Sequence, residues 1–227
     1  MPETWLLLNH RPRSPAENMA WDEALLESAP RLGRPVLRFY GWAAPAATFG
    51  YFQKFAEIEC LTPLRPLIRR STGGGLVPHD ADWTYSFVVP AGDPWYSLKA
   101  TASYQRMHEW IRAAFAEVAL TTELSSYSRA GARGLCFIGA ERFDVLLGER
   151  KIAGAAQRRT RLGLLIQGSI QPPAGVKRSH FEAALLAAGS RAWRIDWVKL
   201  APDEPLCSRV DQLARDKYSQ EAFNRRR

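Results

Sequence analysis

Arg69-Arg70-Ser71-Thr72-Gly73-Gly74-Gly75-Leu76-Val77-Pro78-His79-Asp80 is the stretch from which the rest of the chain is best read. An apolar run carrying two arginines (Leu67 to Arg70) leads into three consecutive glycines, and a second apolar run (Trp83 to Val89) follows. Lacking a Cβ, glycine reaches positive φ and lets a ligand lie against main-chain N–H groups. Between two buried strands such a loop is a ligand cradle. On its own, the triplet fits an ordinary hairpin equally well. Arg69, Arg70, His79 and Asp80 crowd polar groups around the loop and favour the cradle. No Lys-Ser/Thr follows the glycines and no helical pattern opens there, which excludes a nucleotide P-loop.

Outward from this loop the chain mixes short strands with a few helices. On the N-terminal side, Trp5 to Asn9 reads as a first strand. Ser14-Pro15-Ala16-Glu17 is a capping box with proline at the first helical position, opening a helix to about Ser28. Val36 to Trp42 and Ala47 to Phe52 are strand-like, broken by Pro45 and by Gly50. On the C-terminal side, a Gly92/Pro94 turn precedes a helix from about Lys99 to Val118. Its Met107, Trp110, Ile111, Ala114 and Phe115 recur at helical spacing. Ser125 to Gly134 is polar and aperiodic and reads as a surface loop, with Cys136 at its far edge. A meander follows: Phe143 to Leu147, a Gly148-Glu149 turn, Arg150 to Gln157, then Leu164 to Ile170. That turn sets Lys151 opposite Leu146. His180 to Ala188 is helical, Ala192 to Leu200 alternates as a strand, and Val210 to Phe223 reads as a closing helix. The pattern predicts an α+β fold rather than a doubly wound sheet, with residues 1–227 as one domain.

Composition bounds the function. With 227 residues, 46% hydrophobic and 24% charged, the chain has the make-up of a soluble globular domain. No apolar stretch is long enough to span a membrane, and residues 1–10 lack the features of a signal peptide. Cys60, Cys136 and Cys207 include no CxxC pair, which argues against a disulfide framework or a zinc site and for a reducing cytoplasm. A net charge of +8 attracts polyanions, but it is spread over short clusters and accompanies no nucleic-acid motif. Neither nucleic acid nor membrane is an expected partner.

Three residues can carry chemistry. Lys151 precedes Ile152-Ala153-Gly154-Ala155-Ala156, whose small side chains leave room for a ligand whose carbonyl or phosphate oxygen the ammonium would hold. A solvated hairpin lysine, carrying little core packing, is the alternative. Cys136 follows an arginine-bearing loop, and nearby cations lower a thiol pKa from about 8.5 toward a nucleophilic thiolate. The alternative is an inert small hydrophobe, as expected of Cys60 and Cys207. His79 is a base, an orienting donor, or a packed histidine. No His/Cys/Asp/Glu spacing supports a metal.

Asn18-Met19-Ala20-Trp21-Asp22-Glu23-Ala24-Leu25-Leu26, Leu37-Arg38-Phe39-Tyr40-Gly41-Trp42, Phe49-Gly50-Tyr51-Phe52-Gln53, Arg69 to Gly75, Lys151 to Arg158 and Gln167-Gly168-Ser169-Ile170 together resemble the biotin/lipoate protein ligase family, in its order. The tract from Cys136 to Gln157 most resembles the cysteine-dependent octanoyltransferase branch. That branch moves an octanoyl (or lipoyl) group from acyl carrier protein to a lysine of a lipoyl domain such as the glycine-cleavage H protein. The resemblance implies a mainly antiparallel central sheet flanked by helices. It also implies Cys136 as nucleophile and Lys151 as carbonyl-binding lysine. Arg70, Thr72, Gly73, Gly74, Gly75 and His79 would wall the acyl pocket, with Ala153, Gly154 and Gln167 beside them. No cofactor is implied, and a cytoplasmic monomer is expected. Two alternatives stay open: an ATP-dependent lipoate ligase, using ATP and Mg with Cys136 incidental, and a catalytically impaired acyl or carrier-protein binding module. The chain departs from the family pattern at Gln167, where a histidine usually precedes Gly-Ser. It also ends without the accessory domain typical of the ATP-dependent ligases.

Overall fold

The structure is a computed structural model that describes residues 2–128 and 139–226. Cys136 lies outside the described residues, as do Arg129 and Arg133. In chain order the strands are β1 (Glu3–Asn9), β2 (Val36–Tyr40), β3 (Ala46–Phe49), β4 (Leu67–Arg69), β5 (Val77–His79), β6 (Trp83–Pro90), β7 (Glu123–Leu124), β8 (Val145–Leu147), β9 (Arg150–Arg159), β10 (Gly163–Ile170) and β11 (Ile195–Lys199). The helices are α1 (Pro15–Leu32), α2 (Phe55–Ile58), α3 (Pro94–Ser97), α4 (Ala100–Glu117), α5 (Arg178–Trp193), α6 (Glu204–Leu213) and α7 (Glu221–Asn224).

Among the described residues one large sheet runs β11-β1-β2-β6-β10-β9-β8-β7, and a small one runs β4-β3-β5. In the large sheet β1 pairs in parallel with β2 and β11, and the other neighbours are antiparallel. The expected mainly antiparallel α+β sheet is therefore present. Successive side chains of a strand point to opposite faces, and the apolar residues sort accordingly. Leu37, Phe39, Phe87, Leu164 and Ile166 pack on the face shared with α4 and α5, whereas Val36, Val88 and Leu165 pack toward α1 and α6.

Helix α1 starts on the expected capping box: Ser14 accepts from the Glu17 N–H while the Glu17 carboxylate accepts from the Ser14 N–H. It runs past Ser28 to Leu32 and stops at Gly33, whose φ of +64° suits a residue without a Cβ. Several elements differ from expectation, α5 among them: it runs on through Trp193, so the strand expected from Ala192 begins only at Ile195. The strand after Pro45 ends at Phe49, because Gly50 to Gln53 turn back on themselves, the Gln53 N–H bonding to the Gly50 carbonyl at 3.1 Å. The closing helix is broken: α6 gives way to a π-turn at Ala214–Tyr218, then to α7. There the buried Tyr218 hydroxyl donates to Glu23 of α1 at 2.7 Å, and Arg69 grips the Asn224 carbonyl at 3.0 Å. Tertiary hydrogen bonds at this end override a continuous helix. Among the described residues no helix is long and apolar enough to cross a membrane.

Candidate active site

Register across three strands builds the centre of the site. Arg38 of β2 lies opposite Ser86 of β6, and Ser86 lies opposite Gln167 of β10. All three reach Asp22, a fully buried carboxylate on α1. Asp22 accepts from Arg38 at 2.7 Å, Ser86 at 2.6 Å, the Gln167 amide at 2.6 Å and the Tyr40 hydroxyl at 3.0 Å. A buried charge is tolerated when it is paired and its lone pairs are filled, and this one fastens α1 to the sheet. The Gln167 carbonyl oxygen in turn accepts from Thr72 at 2.7 Å, which ties the glycine loop to the same anchor.

Two residues further along the strands, Tyr40, Thr84, Ser169 and Gly154 form the next row. Thr48, Val77 and His79 of the small sheet face it. Between the two sheets lies a small cavity of about 50 Å³, partly open to solvent and also lined by Met19, Trp42, Arg70, Lys151, Ala155, Ala156 and Gln167. Its polar wall is already hydrogen-bonded. His79 contacts Asp82 through Nδ1 at 2.9 Å and Thr48 through Nε2 at 2.8 Å, and its ring stacks on Trp42 with centroids 3.8 Å apart. The same Asp82 oxygen accepts from Ser169 at 2.6 Å and Thr84 at 3.1 Å. Both ring nitrogens of His79 are thus engaged within the cavity wall.

The glycine loop frames this cavity from behind. The Arg70 guanidinium donates to the carbonyls of Gly73 and Gly75 and to Thr48 Oγ1, each at 2.9 Å. Gly50 touches the loop so closely that a Cβ there would come within 1.9 Å of the Gly74 carbonyl oxygen. Of the expected pocket residues, Arg70, His79, Lys151, Gly154 and Gln167 line the cavity. Thr72, Gly73, Gly74 and Gly75 do not line it; Thr72 bonds Gln167, and the Gly73 and Gly75 carbonyls accept from Arg70. Ala153 is also misplaced by the sequence reading. Strand alternation turns it into the core on the α4 side, and Ala155 and Ala156 take its place on the wall. Arg69, one residue from Arg70, points the other way and clamps the Tyr51 and Gln53 carbonyls at 2.8 and 2.7 Å. Asp80 is exposed.

Lys151 reaches the cavity through a break in register. Leu146 pairs with Lys151 as expected, but the neighbouring Val145 pairs with Ala153, so Ile152 is an extra residue in β9. Such a bulge re-aims the side chains beyond it. Ile152 and Ala153 both enter the core, and Lys151 is thrown onto the same face as Gly154. The lysine is only 9% exposed and its ammonium lies 2.7 Å from the fully buried Asp144. It is not the solvated hairpin lysine. Asp144, Tyr104 and Asp22 were missed by the sequence reading. The only signal for Asp144 is an opposite charge two positions from Leu146 on the same hairpin.

His108, on α4 behind this pair, is fully buried and stands edge-on to Tyr104 with centroids 4.3 Å apart. Burial, then the Lys151 charge, lowers its pKa to about 3, and burial with the Arg38 and Arg13 charges does the same to His10. Unfolded histidine protonates near 6.5. Between 6.5 and 3 the unfolded chain therefore binds more protons than the folded one, and stability falls as pH falls through that window. Urea unfolding is expected to show a lower unfolding free energy at pH 5 than at pH 7.5. His108→Leu should flatten that slope; an unchanged slope would place the effect elsewhere.

The model of the lipoyl protein ligase A/B catalytic domain matches residues 14–193. The chain is 34% identical over 183 residues to octanoyltransferase LipM of Macrococcus caseolyticus, covering 75% of this chain and 66% of that protein. It is 35% identical over 174 residues to octanoyltransferase LipM of Carboxydothermus hydrogenoformans, covering 74% and 65%. The chain thus spans just under two thirds of the length of these relatives. Among solved structures it is similar to protein Ta0514 from T. acidophilum, with a TM-score of 0.81 and 25% identity over 100% of both chains. It also shares its fold with lipoate-protein ligase A bound with ATP, at a TM-score of 0.78 and 24% identity over 99% of both chains.

Proposed function

The chain belongs to the lipoyl protein ligase A/B catalytic domain family, and from that premise we propose that it is an octanoyltransferase of protein lipoylation. It carries an octanoyl group from acyl carrier protein to a lysine of a lipoyl domain, such as the glycine-cleavage H protein, through a thioester on Cys136. The observation that carries this reading is the cavity between the two sheets with the Lys151 ammonium in its wall. Similarity to LipM octanoyltransferases supports the choice of acyl group. The net charge of +8 suits acidic protein partners.

The chemistry follows from the residues. Apolar wall groups of Met19, Val77, Ala155 and Ala156 take the acyl chain, each buried methylene contributing about 0.8 kcal/mol. The Cys136 thiolate attacks the carbonyl carbon of the carrier thioester. Lys151 donates a hydrogen bond to the developing oxyanion, worth about 3 kcal/mol for a well-placed donor. The carbon–sulfur bond to the carrier breaks and its sulfur leaves as a thiolate, which takes up the proton that the Cys136 thiol gave up on ionising. The acceptor lysine, as neutral amine, then attacks the Cys136 thioester, the amide forms and the thiol is regenerated. A thioester is exchanged for a thioester and then for a more stable amide, so no nucleotide is consumed.

The test is transfer without nucleotide. Octanoyl-acyl carrier protein, a lipoyl-domain protein and the enzyme, with no ATP, should yield one octanoyl group on the acceptor lysine. Transfer only from free octanoate with ATP and Mg would replace this reading by the ligase.

Gln167 bears on the same assay. Here its amide makes one strong donated and one accepted bond, to Asp22 and from Thr72, besides a weak donated bond of 3.5 Å to the Met19 sulfur. A neutral imidazole offers one donor and one acceptor as well. Gln167→His is therefore expected to keep the transfer rate within a few-fold, and wild-type Gln167 is no impairment. Gln167→Leu leaves Thr72 and Asp22 each short of a partner and should lose at least about tenfold. A gain of more than tenfold in Gln167→His would show instead that glutamine is a defect.

A further inference from the structure

We propose that Asp144 is the positioning residue for Lys151, fixing the ammonium where it meets the acyl carbonyl; this rests on the acyl-transfer reading above. Asp144 is fully buried and is not among the residues lining the cavity, so it acts only through the lysine. Both its oxygens are tied down from separate parts of the chain. Oδ2 accepts from the Glu141 N–H at 2.6 Å and faces the Lys151 ammonium at 2.7 Å. Oδ1 accepts from the Tyr104 hydroxyl of α4 at 2.5 Å, and that hydroxyl accepts from the Ala155 N–H of β9 at 3.3 Å. A carboxylate held this way cannot follow a moving lysine, so the lysine is held by it.

Gly154 supplies the room. A Cβ at this position would lie 2.6 Å from Lys151 Cε, 2.9 Å from its Nζ and 3.2 Å from Asp144 Oδ1. The lysine stem therefore crosses its own strand over bare backbone on its way to Asp144. Buried ion pairs are poor stabilisers compared with apolar replacements, so stability alone gives little reason for one in a cavity wall. A lysine otherwise spreads over many rotamers. Spending one of its three N–H groups on a fixed carboxylate orients the ammonium before the substrate arrives, which is where preorganised donors gain their effect.

The experiment compares wild type with Asp144→Asn and Tyr104→Phe, each assayed where urea unfolding shows it fully folded. It measures kcat and KM for octanoyl-acyl carrier protein, together with labelling of Lys151 by an amine-reactive acetylating ester, read by peptide mass. Displacing a reacting group by about 1 Å costs on the order of 100-fold. Asp144→Asn should lose kcat on that scale with KM nearly unchanged, and Tyr104→Phe should lose kcat less but in the same direction. Lys151 labelling should rise in Asp144→Asn relative to the other lysines. Wild-type kcat and unchanged Lys151 labelling in folded Asp144→Asn would overturn the proposal. Should wild type itself transfer no octanoyl group, the acyl-transfer reading fails, and the labelling comparison still decides whether Asp144 holds Lys151.

Discussion

Lys151→Ala is expected to lower octanoyl transfer by about 100- to 1,000-fold, the scale for losing one oxyanion donor, and to destabilise the fold by about 3 kcal/mol. The second effect contradicts what a hairpin-edge lysine would do. The side chain is 9% exposed and pairs with a carboxylate that is 0% exposed. Removing the cation leaves Asp144 with the Tyr104 hydroxyl and the Glu141 N–H but without a countercharge. Loss of activity in Lys151→Ala alone would therefore be ambiguous. The double variant Lys151→Met/Asp144→Asn resolves it, because it removes both charges and keeps most of the volume. Its unfolding midpoint in urea should return toward wild type while transfer stays lost. Lys151→Arg should rescue neither property, since a planar guanidinium does not fit the narrow path over Gly154. Near-normal transfer in the double variant would remove Lys151 from the chemistry.

Where local rules govern, the chain was legible. The Ser14 capping box, the Gly148-Glu149 turn and the Leu146–Lys151 pairing stand as their residue types require. Arg70, His79, Lys151, Gly154 and Gln167 do gather at one cavity. What escaped depends on faces and register. A one-residue bulge at Ile152 decides that Lys151 faces the cavity and Ala153 the core, and no composition rule marks a bulge in a run of small residues. Arg69 and Arg70 are chemically identical, yet alternation sends one to clamp the 51–53 turn and the other to hold the glycine loop. Asp22 takes its side-chain donors from β2, β6 and β10, and Asp144 takes the Tyr104 hydroxyl from α4, so the sequence near them does not reveal those partners. The closing helix failed for the same reason: Tyr218 answers to Glu23, far away in the chain.

The central claim is a covalent octanoyl thioester on Cys136, and one measurement addresses it directly. The protein is incubated with octanoyl-acyl carrier protein in the absence of ATP, and its intact mass is recorded before and after hydroxylamine. A transfer that passes through a cysteine must load the enzyme even when no acceptor is present, because the second step then has no amine to use. Wild type is expected to gain one octanoyl group that hydroxylamine removes. Cys60→Ala and Cys207→Ala should gain it too, since neither the exposed Cys60 nor the half-buried Cys207 lies at the cavity. Cys136→Ala should gain nothing and transfer nothing. An octanoyl adduct that persists in Cys136→Ala, or transfer by that variant with ATP and free octanoate, would contradict the account.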